Sequence, residues 1–120
     1  MPRRTDAYSY LDRQRLERAT AHYLRDCRRR RTAARVSELA AYLGLSAEDF
    51  SRTVSAIAGL PPRDYLRGKQ LAYAEQLLRT TPLPNEEIAI LAGFGTDGTF
   101  YRLFKAAHGM TPGAFRGIMK

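Results

Sequence analysis

Apolar residues recur along most of this chain at helical spacing, and nowhere with the strict alternation of a half-buried strand. Leu16, Ala19, Thr20, Tyr23 and Cys27 fall at i, i+3, i+4, i+7 and i+11, with Leu24 beside them. They predict a helix from about Ser9 to Arg30, preceded by a loose arm over residues 1–8 and followed by a short connection at Thr32–Arg35. Ser37 is expected to N-cap a second helix that carries Glu38 in its first turn and ends at Gly44. Ser46 caps a third, roughly Ala47–Ala58, stopped by Gly59. Pro62 opens a fourth and long one, about Pro62–Arg79, presenting Leu66, Gln70, Tyr73, Ala74, Leu77 and Leu78. The stretch Thr80-Thr81-Pro82-Leu83-Pro84 breaks it. A short helix from about Asn85 to Ala92, another over Thr96–His108 and a last one from Pro112 to about Met119 complete an all-α chain of seven helices.

The two halves repeat. At an offset of 49, Leu39-Ala40 matches Ile88-Ala89 and Gly44-Leu45 matches Gly93-Phe94. Beyond that turn the offset becomes 50: Phe50 matches Phe100, Arg52 matches Arg102, Gly59 matches Gly109, Pro62 matches Pro112 and Tyr65 matches Phe115. Each half therefore reads as Ala-x-x-x-Gly and then an apolar residue. The small Ala lets two helices approach, the Gly permits positive φ in a tight turn, and the apolar residue fills the angle between them.

The helix at Thr96–His108 divides into two faces. Phe100, Leu103 and Phe104 can anchor it, while Thr99, Arg102 and Lys105 lie on the other side. A cationic, hydroxyl-bearing face on an anchored helix suits reading of a major groove. A surface helix with a solvated polar side has the same pattern.

The net charge of +8 points to an anionic partner. It is uneven. Residues 1–36 hold eleven arginines and four acidic residues; residues 37–120 hold nine basic and eight acidic ones. Arg28, Arg29, Arg30 and Arg31 form its densest run. Such a run can neutralise phosphates, or it can be a solvated helix end where cations complement the macrodipole.

One cysteine, Cys27, excludes an internal disulfide, and with only His22 and His108 beside it a structural zinc site is not expected. No apolar run approaches the ~20 residues of a membrane span, and the N-terminus has no signal-peptide core. A cytoplasmic protein without metal or cofactor is expected. No Ser/His/Asp set, paired carboxylates or phosphate-binding loop indicates an enzyme. The string Gly93-x-Gly95-x-x-Gly98 matches GxGxxG but follows a helix rather than a strand.

These residues resemble the AraC/XylS family of transcription regulators. The second half carries the family signature in Ile88-Ala89, Gly93-Phe94, Phe100, Arg102, Phe104-Lys105, Gly109, Thr111-Pro112 and Phe115-Arg116. Tyr65-Leu66, Gln70-Leu71, Ala74 and Leu77-Leu78 resemble its connecting helix. The resemblance covers about Leu16–Arg116 and implies two homeodomain-like helix-turn-helix subdomains, residues 9–60 and 81–120, joined by a helix over 61–80 within one domain at 9–120. It implies two recognition helices in successive major grooves of double-stranded DNA. It also implies a stand-alone unit that binds as a monomer, associates with the nucleoid when bound, and activates by touching RNA polymerase. There are departures. The family usually has Arg at the place of Gln70 and an apolar residue at that of Asn85, for which Leu83 can substitute. Its Phe-Lys near the end of the first recognition helix is Val54-Ser55 here.

In the second recognition helix, Thr99, Tyr101 and Arg102 are expected to face bases, with Arg102 suited to guanine O6 and N7. Asp97 is either an acceptor for cytosine N4 or the helix N-cap, the second being favoured. Lys105 is expected on a phosphate, and His108 as a cap of the helix end. In the first, Ser51, Arg52 and Ser55 are the candidate contacts, and Glu48 and Asp49 would face a polyanion. The expected outcome is an asymmetric reader, in which the second subdomain specifies and the first positions. A protein-interaction module of the same fold with degraded DNA binding is the alternative.

Overall fold

The computed structural model describes residues 11–119. The arm over residues 1–8, and the expected helix start at Ser9, lie outside them. Seven helices and no strand are found among the described residues: α1 Arg13–Arg30, α2 Val36–Tyr42, α3 Ala47–Ala58, α4 Pro62–Thr80, α5 Asn85–Leu91, α6 Asp97–His108 and α7 Pro112–Met119. The chain folds as two compact units. Among the described residues, one comprises 11–25 with Arg35–Arg67, the other Asp26–Ala34 with 68–119. The segment 26–34, which the sequence pattern leaves as a helix end and a connection, thus belongs to the second unit.

In the first unit, Leu16, Tyr23 and Leu24 of α1 are buried with Leu39 and Ala40 of α2, Phe50 and Val54 of α3, and Tyr65 and Leu66 of α4. Asp12 starts α1, its carboxylate accepting the Arg15 N–H at 2.9 Å. The start of α2 differs from expectation. Ser37 lies inside the helix, Arg35 is the flanking residue, and no side chain of its own caps it. The Tyr23 hydroxyl, twelve residues away, pins the helix start instead: it accepts the Arg35 N–H at 2.8 Å and donates to Glu38 Oε1 at 2.6 Å. Ser46 caps α3 as its sequence predicts, accepting from Asp49 N–H at 3.1 Å. Burial pushes the Tyr65 phenol up, against a hydrogen bond with Thr20 at 3.2 Å.

The second unit is built on an aromatic core. Phe94, Phe100, Phe104 and Phe115 pack with Leu71, Ala74, Leu77, Leu78, Ile88 and Ala89. Phe100 and Phe104 meet edge to face with centroids 5.6 Å apart, and Phe104 and Phe115 at 5.4 Å. Leu83 packs against this cluster, whereas the Asn85 Oδ1 is buried without a hydrogen-bond partner, so the apolar role at this corner has passed to Leu83. Cys27 is fully buried, an apolar filler rather than an accessible thiol.

Both helix-turn-helix turns close in the same way. Leu45 N–H donates to Ala40 O at 3.0 Å in the first and Phe94 N–H to Ala89 O at 2.9 Å in the second, with Gly44 at φ +72° and Gly93 at φ +81°. A third chain segment supports the second turn. Gly93 O accepts from Ala34 N–H at 2.9 Å and from Gln70 Nε2 at 2.8 Å, and Gln70 also reaches Ala92 O at 3.1 Å. Gln70 therefore ties α4 to the turn with two hydrogen bonds where the family usually has Arg.

Candidate nucleic-acid interface

The second recognition helix is α6. Its N-cap is Thr96, not Asp97. Gly95, at φ +85°, turns the chain so that Thr96 enters extended, at φ −131° and ψ 154°, and its Oγ1 accepts the Thr99 N–H at 3.1 Å. The Thr96 hydroxyl in turn donates to Thr99 Oγ1 at 2.9 Å. Asp97 occupies the first turn, exposed, where its charge complements the positive end of the helix dipole.

Phe100 and Phe104 are completely buried and fix the rotation of α6. That rotation exposes Asp97, Tyr101, Arg102 and Lys105 and leaves Thr99 half-buried. Lys105 Nζ sits 6.0 Å from the Tyr101 ring centroid, at the edge of cation–π range. Arg102 has no hydrogen bond or ion pair among the described residues. His108 closes the helix end as expected, with Nδ1 3.3 Å from Phe104 O, and it also stacks on the Phe104 ring at 4.0 Å and lies 3.3 Å from Glu75 Oε1.

The equivalent face on α3 is different. Ser51, Arg52 and Ser55 are all exposed, but Arg52 Nη2 is paired with Glu48 Oε1 at 3.1 Å, one turn earlier. Ser55 lies at the helix end, with its hydroxyl 3.4 Å from Leu60 O. Asp49 does not face outward with Glu48. It is buried on the same side as Phe50, Thr53 and Val54, so only one acid remains on the exposed face.

Half of the arginine run is used within the second unit. Arg28 lies over the Tyr73 ring at 4.4 Å. Arg31 holds Glu87 of α5 with two hydrogen bonds of 2.6 and 2.8 Å. The pairing lowers the Glu87 carboxyl, mainly through the hydrogen bond from Arg31, and raises the Arg31 guanidinium for the same reason. Arg31 also takes the left-handed cap position of α1 at φ +54°, with Thr32 N–H reaching back to Cys27 O at 3.0 Å. Arg29 and Arg30 point to solvent, Arg29 3.8 Å from Asp26 and Arg30 3.5 Å from the Asp26 carbonyl.

Two short helices set around a glycine turn, with an anchored and outwardly cationic second helix, define a helix-turn-helix protein. A family model described as a helix-turn-helix domain matches residues 39–118, and the chain belongs to this family, in the AraC type that its C-terminal motif resembles. Relatives include the probable transcriptional regulator LumQ of Photobacterium leiognathi, 28% identical over 85 residues, which are 71% of this chain and 34% of that protein. Another is the probable bifunctional transcriptional activator/DNA repair enzyme AlkA of Mycobacterium tuberculosis, 35% identical over 81 residues, or 68% of this chain and 16% of that one. The chain spans about a third or less of the curated relatives it matches. Among solved structures, the DNA-binding domain of the global transcriptional factor AdpA in complex with a target DNA superposes with a TM-score of 0.74 at 25% identity, covering 86% of this chain and 90% of that one. No described helix is long and apolar enough to cross a membrane.

Proposed function

We propose that this chain binds double-stranded DNA sequence-specifically and regulates transcription, with α6 as its principal reader and α3 as a second, weaker one in the neighbouring major groove. The observation that carries this is the state of Arg102: exposed, unpaired among the described residues, and presented by a helix whose rotation two buried phenylalanines fix. A bidentate guanine contact from such a residue discriminates by about 1–3 kcal/mol. Thr99 sharpens the reading. Its hydroxyl accepts one hydrogen bond from Thr96 and keeps its own hydrogen, so it can donate to an acceptor such as thymine O4 or purine N7. Lys105 and Arg30 are phosphate contacts. Asp97 and Tyr101 border the α6 reading face, and Ser51, Arg52 and Ser55 supply what α3 contributes. Arg28 and Arg31 shape the second unit and touch DNA little.

Relatives described as transcriptional regulators and activators, and the AdpA complex with its target, support this reading. With this reading we further propose activation through contact with RNA polymerase, action as a monomer carrying two readers, a cytoplasmic, nucleoid-associated location, and no enzymatic step in this chain. One observation favours the alternative of a protein-interaction module: the Glu48–Arg52 pair leaves the α3 face with little net attraction for a polyanion.

Selection from a pool of random duplexes, followed by fluorescence-anisotropy titration of the winner against salt, tests the proposal. An enriched motif bound well above bulk DNA is expected. Weak binding with no enrichment contradicts it and favours the interaction module.

A further inference from the structure

Helix α1 carries a second cationic surface, apart from the run at its end. Arg15, Arg18, His22 and Arg25 recur at i, i+3, i+7 and i+10, all exposed, on the side opposite the buried Leu16, Thr20, Tyr23 and Leu24. No acidic residue lies between them on this face. Asp12 lies before the helix at its cap, Glu17 projects about a third of a turn away, and Asp26, one turn beyond His22 at the end of the row, sits 3.8 Å from Arg29. Arg25 Nη2 donates to His22 Nδ1 at 2.7 Å, which joins the last two members of the row.

Helix stability does not account for this row. Cations favour a helix C-terminus and disfavour an N-terminus, yet the first turn of α1 contains Arg13 and Arg15 and no acid. Arg13 has an internal task, donating to Ile57 O at 2.6 Å. Arg18 has no hydrogen bond or ion pair among the described residues. A protein interface is a poor match, because such surfaces centre on an aromatic or aliphatic anchor, and this face offers only Gln14 and Ala21 between its charges. Its length does suit a duplex backbone: ten residues of helix rise about 15 Å, the axial rise of roughly four base steps.

We propose that Arg15, Arg18, His22 and Arg25 form a phosphate-binding face for duplex DNA that adds affinity without sequence preference. It rests on the reading of the chain as a DNA-binding protein, and it names a contact surface outside the recognition helices. Arg15, Arg18 and Arg25 each neutralise a backbone phosphate.

The test is the full chain with Arg15→Gln, Arg18→Gln and Arg25→Gln together, titrated by anisotropy against both a selected duplex and an unrelated one over a range of salt. The slope of log affinity against log salt is expected to fall by about 2 to 3, at roughly 0.9 for each phosphate no longer neutralised. Both duplexes should weaken by the same factor, leaving their ratio unchanged. An unchanged slope overturns the proposal, as does a variant that keeps the duplex slope but loses binding to polyglutamate, which would make the face a site for acidic protein. A change in the ratio also overturns it. Thermal melting checks that the triple variant folds, and Arg18→Gln with Arg25→Gln provides a milder pair expected to show about two-thirds of the effect. If the wild-type protein enriches no sequence, the proposed regulator fails; the slope on unrelated duplex then still decides whether this face binds phosphates.

Discussion

In the first unit the glycine of the helix-turn-helix turn stands in the open: a Cβ on Gly44 would meet nothing within 4 Å. In the second, a Cβ on Gly93 would come within 3.1 Å of the Ala34 Cβ and 3.2 Å of Gln70 Nε2. The same contrast recurs on the recognition helices. Arg52 is tied to Glu48 at 3.1 Å, whereas Arg102 has no hydrogen bond or ion pair among the described residues. The unit with the better-braced turn thus presents the less encumbered arginine. Under the proposed function, pre-organisation accounts for the pairing of the two features: a helix that places a guanidinium accurately on a base edge needs a turn that does not give, while a helix that only positions the protein does not.

Core truncation gives the largest effect and tests whether the halves are separately stable. Phe50 and Phe100 occupy matching places and are both completely buried. Replacing either with Ala should cost about 3–5 kcal/mol. Chemical denaturation should then show a loss confined to the mutated unit, seen as a separate early transition. A single shared transition in both variants would mean that the units unfold as one.

The turns come next. Gly44→Ala and Gly93→Ala both force a side chain into the left-handed region, at about 1 kcal/mol or more. Only Gly93→Ala must also displace Ala34 and Gln70, so its midpoint of denaturation should fall further. Equal shifts would show that the added brace contributes nothing.

The smallest effect is one of pH. Glu87 titrates lower in the folded chain than its ordinary 4.5, because Arg31 bonds to its charged form. The resulting stability is complete above the unfolded value and is lost as pH falls through the folded one. Glu87→Gln should therefore lose the pair's small contribution near neutrality and flatten stability against pH below about 4.5 in the second unit, so that variant and wild type converge in acid. A variant with the same acid slope as the wild type would show that the Arg31–Glu87 pair is not a brace.

Much of the fold was legible because the repeat carries its own punctuation. Gly44 and Gly93, Gly59 and Gly109, and Pro62 and Pro112 mark turns, caps and helix starts by local chemistry; each of α2 to α7 has a boundary set by one of them, while α1 is read from its apolar periodicity. What escaped local reading depends on distant partners or on rotation. Ser37 looks like a cap but lies inside the helix, whose start is held by the Tyr23 hydroxyl of another helix through Arg35 N–H. Thr96 and Asp97 are adjacent candidates, and only the φ of Gly95 decides between them. Asp49 and Glu48 are neighbours in sequence, yet a step of 100° turns one inward with Phe50. Arg31 reads as one more cation in a run. Its left-handed backbone, where Gly is usual, and its forked bond to Glu87 became visible only once α5 was in place. The exposed row on α1 was present in the sequence at its i, i+3, i+7 spacing, but the denser run beside it dominates the local charge.

That the second unit reads and the first positions is tested most directly by selection of bound duplexes. The wild-type chain, Arg102→Ala and Arg52→Ala are each put through it, and the sequence information in the two half-sites is compared. Wild-type information is predicted to be concentrated in one half-site. Arg102→Ala should erase a base preference there at about 1–3 kcal/mol, and Arg52→Ala should leave the pattern unchanged. Equal information in both half-sites, with Arg52→Ala erasing as much as Arg102→Ala, would contradict it.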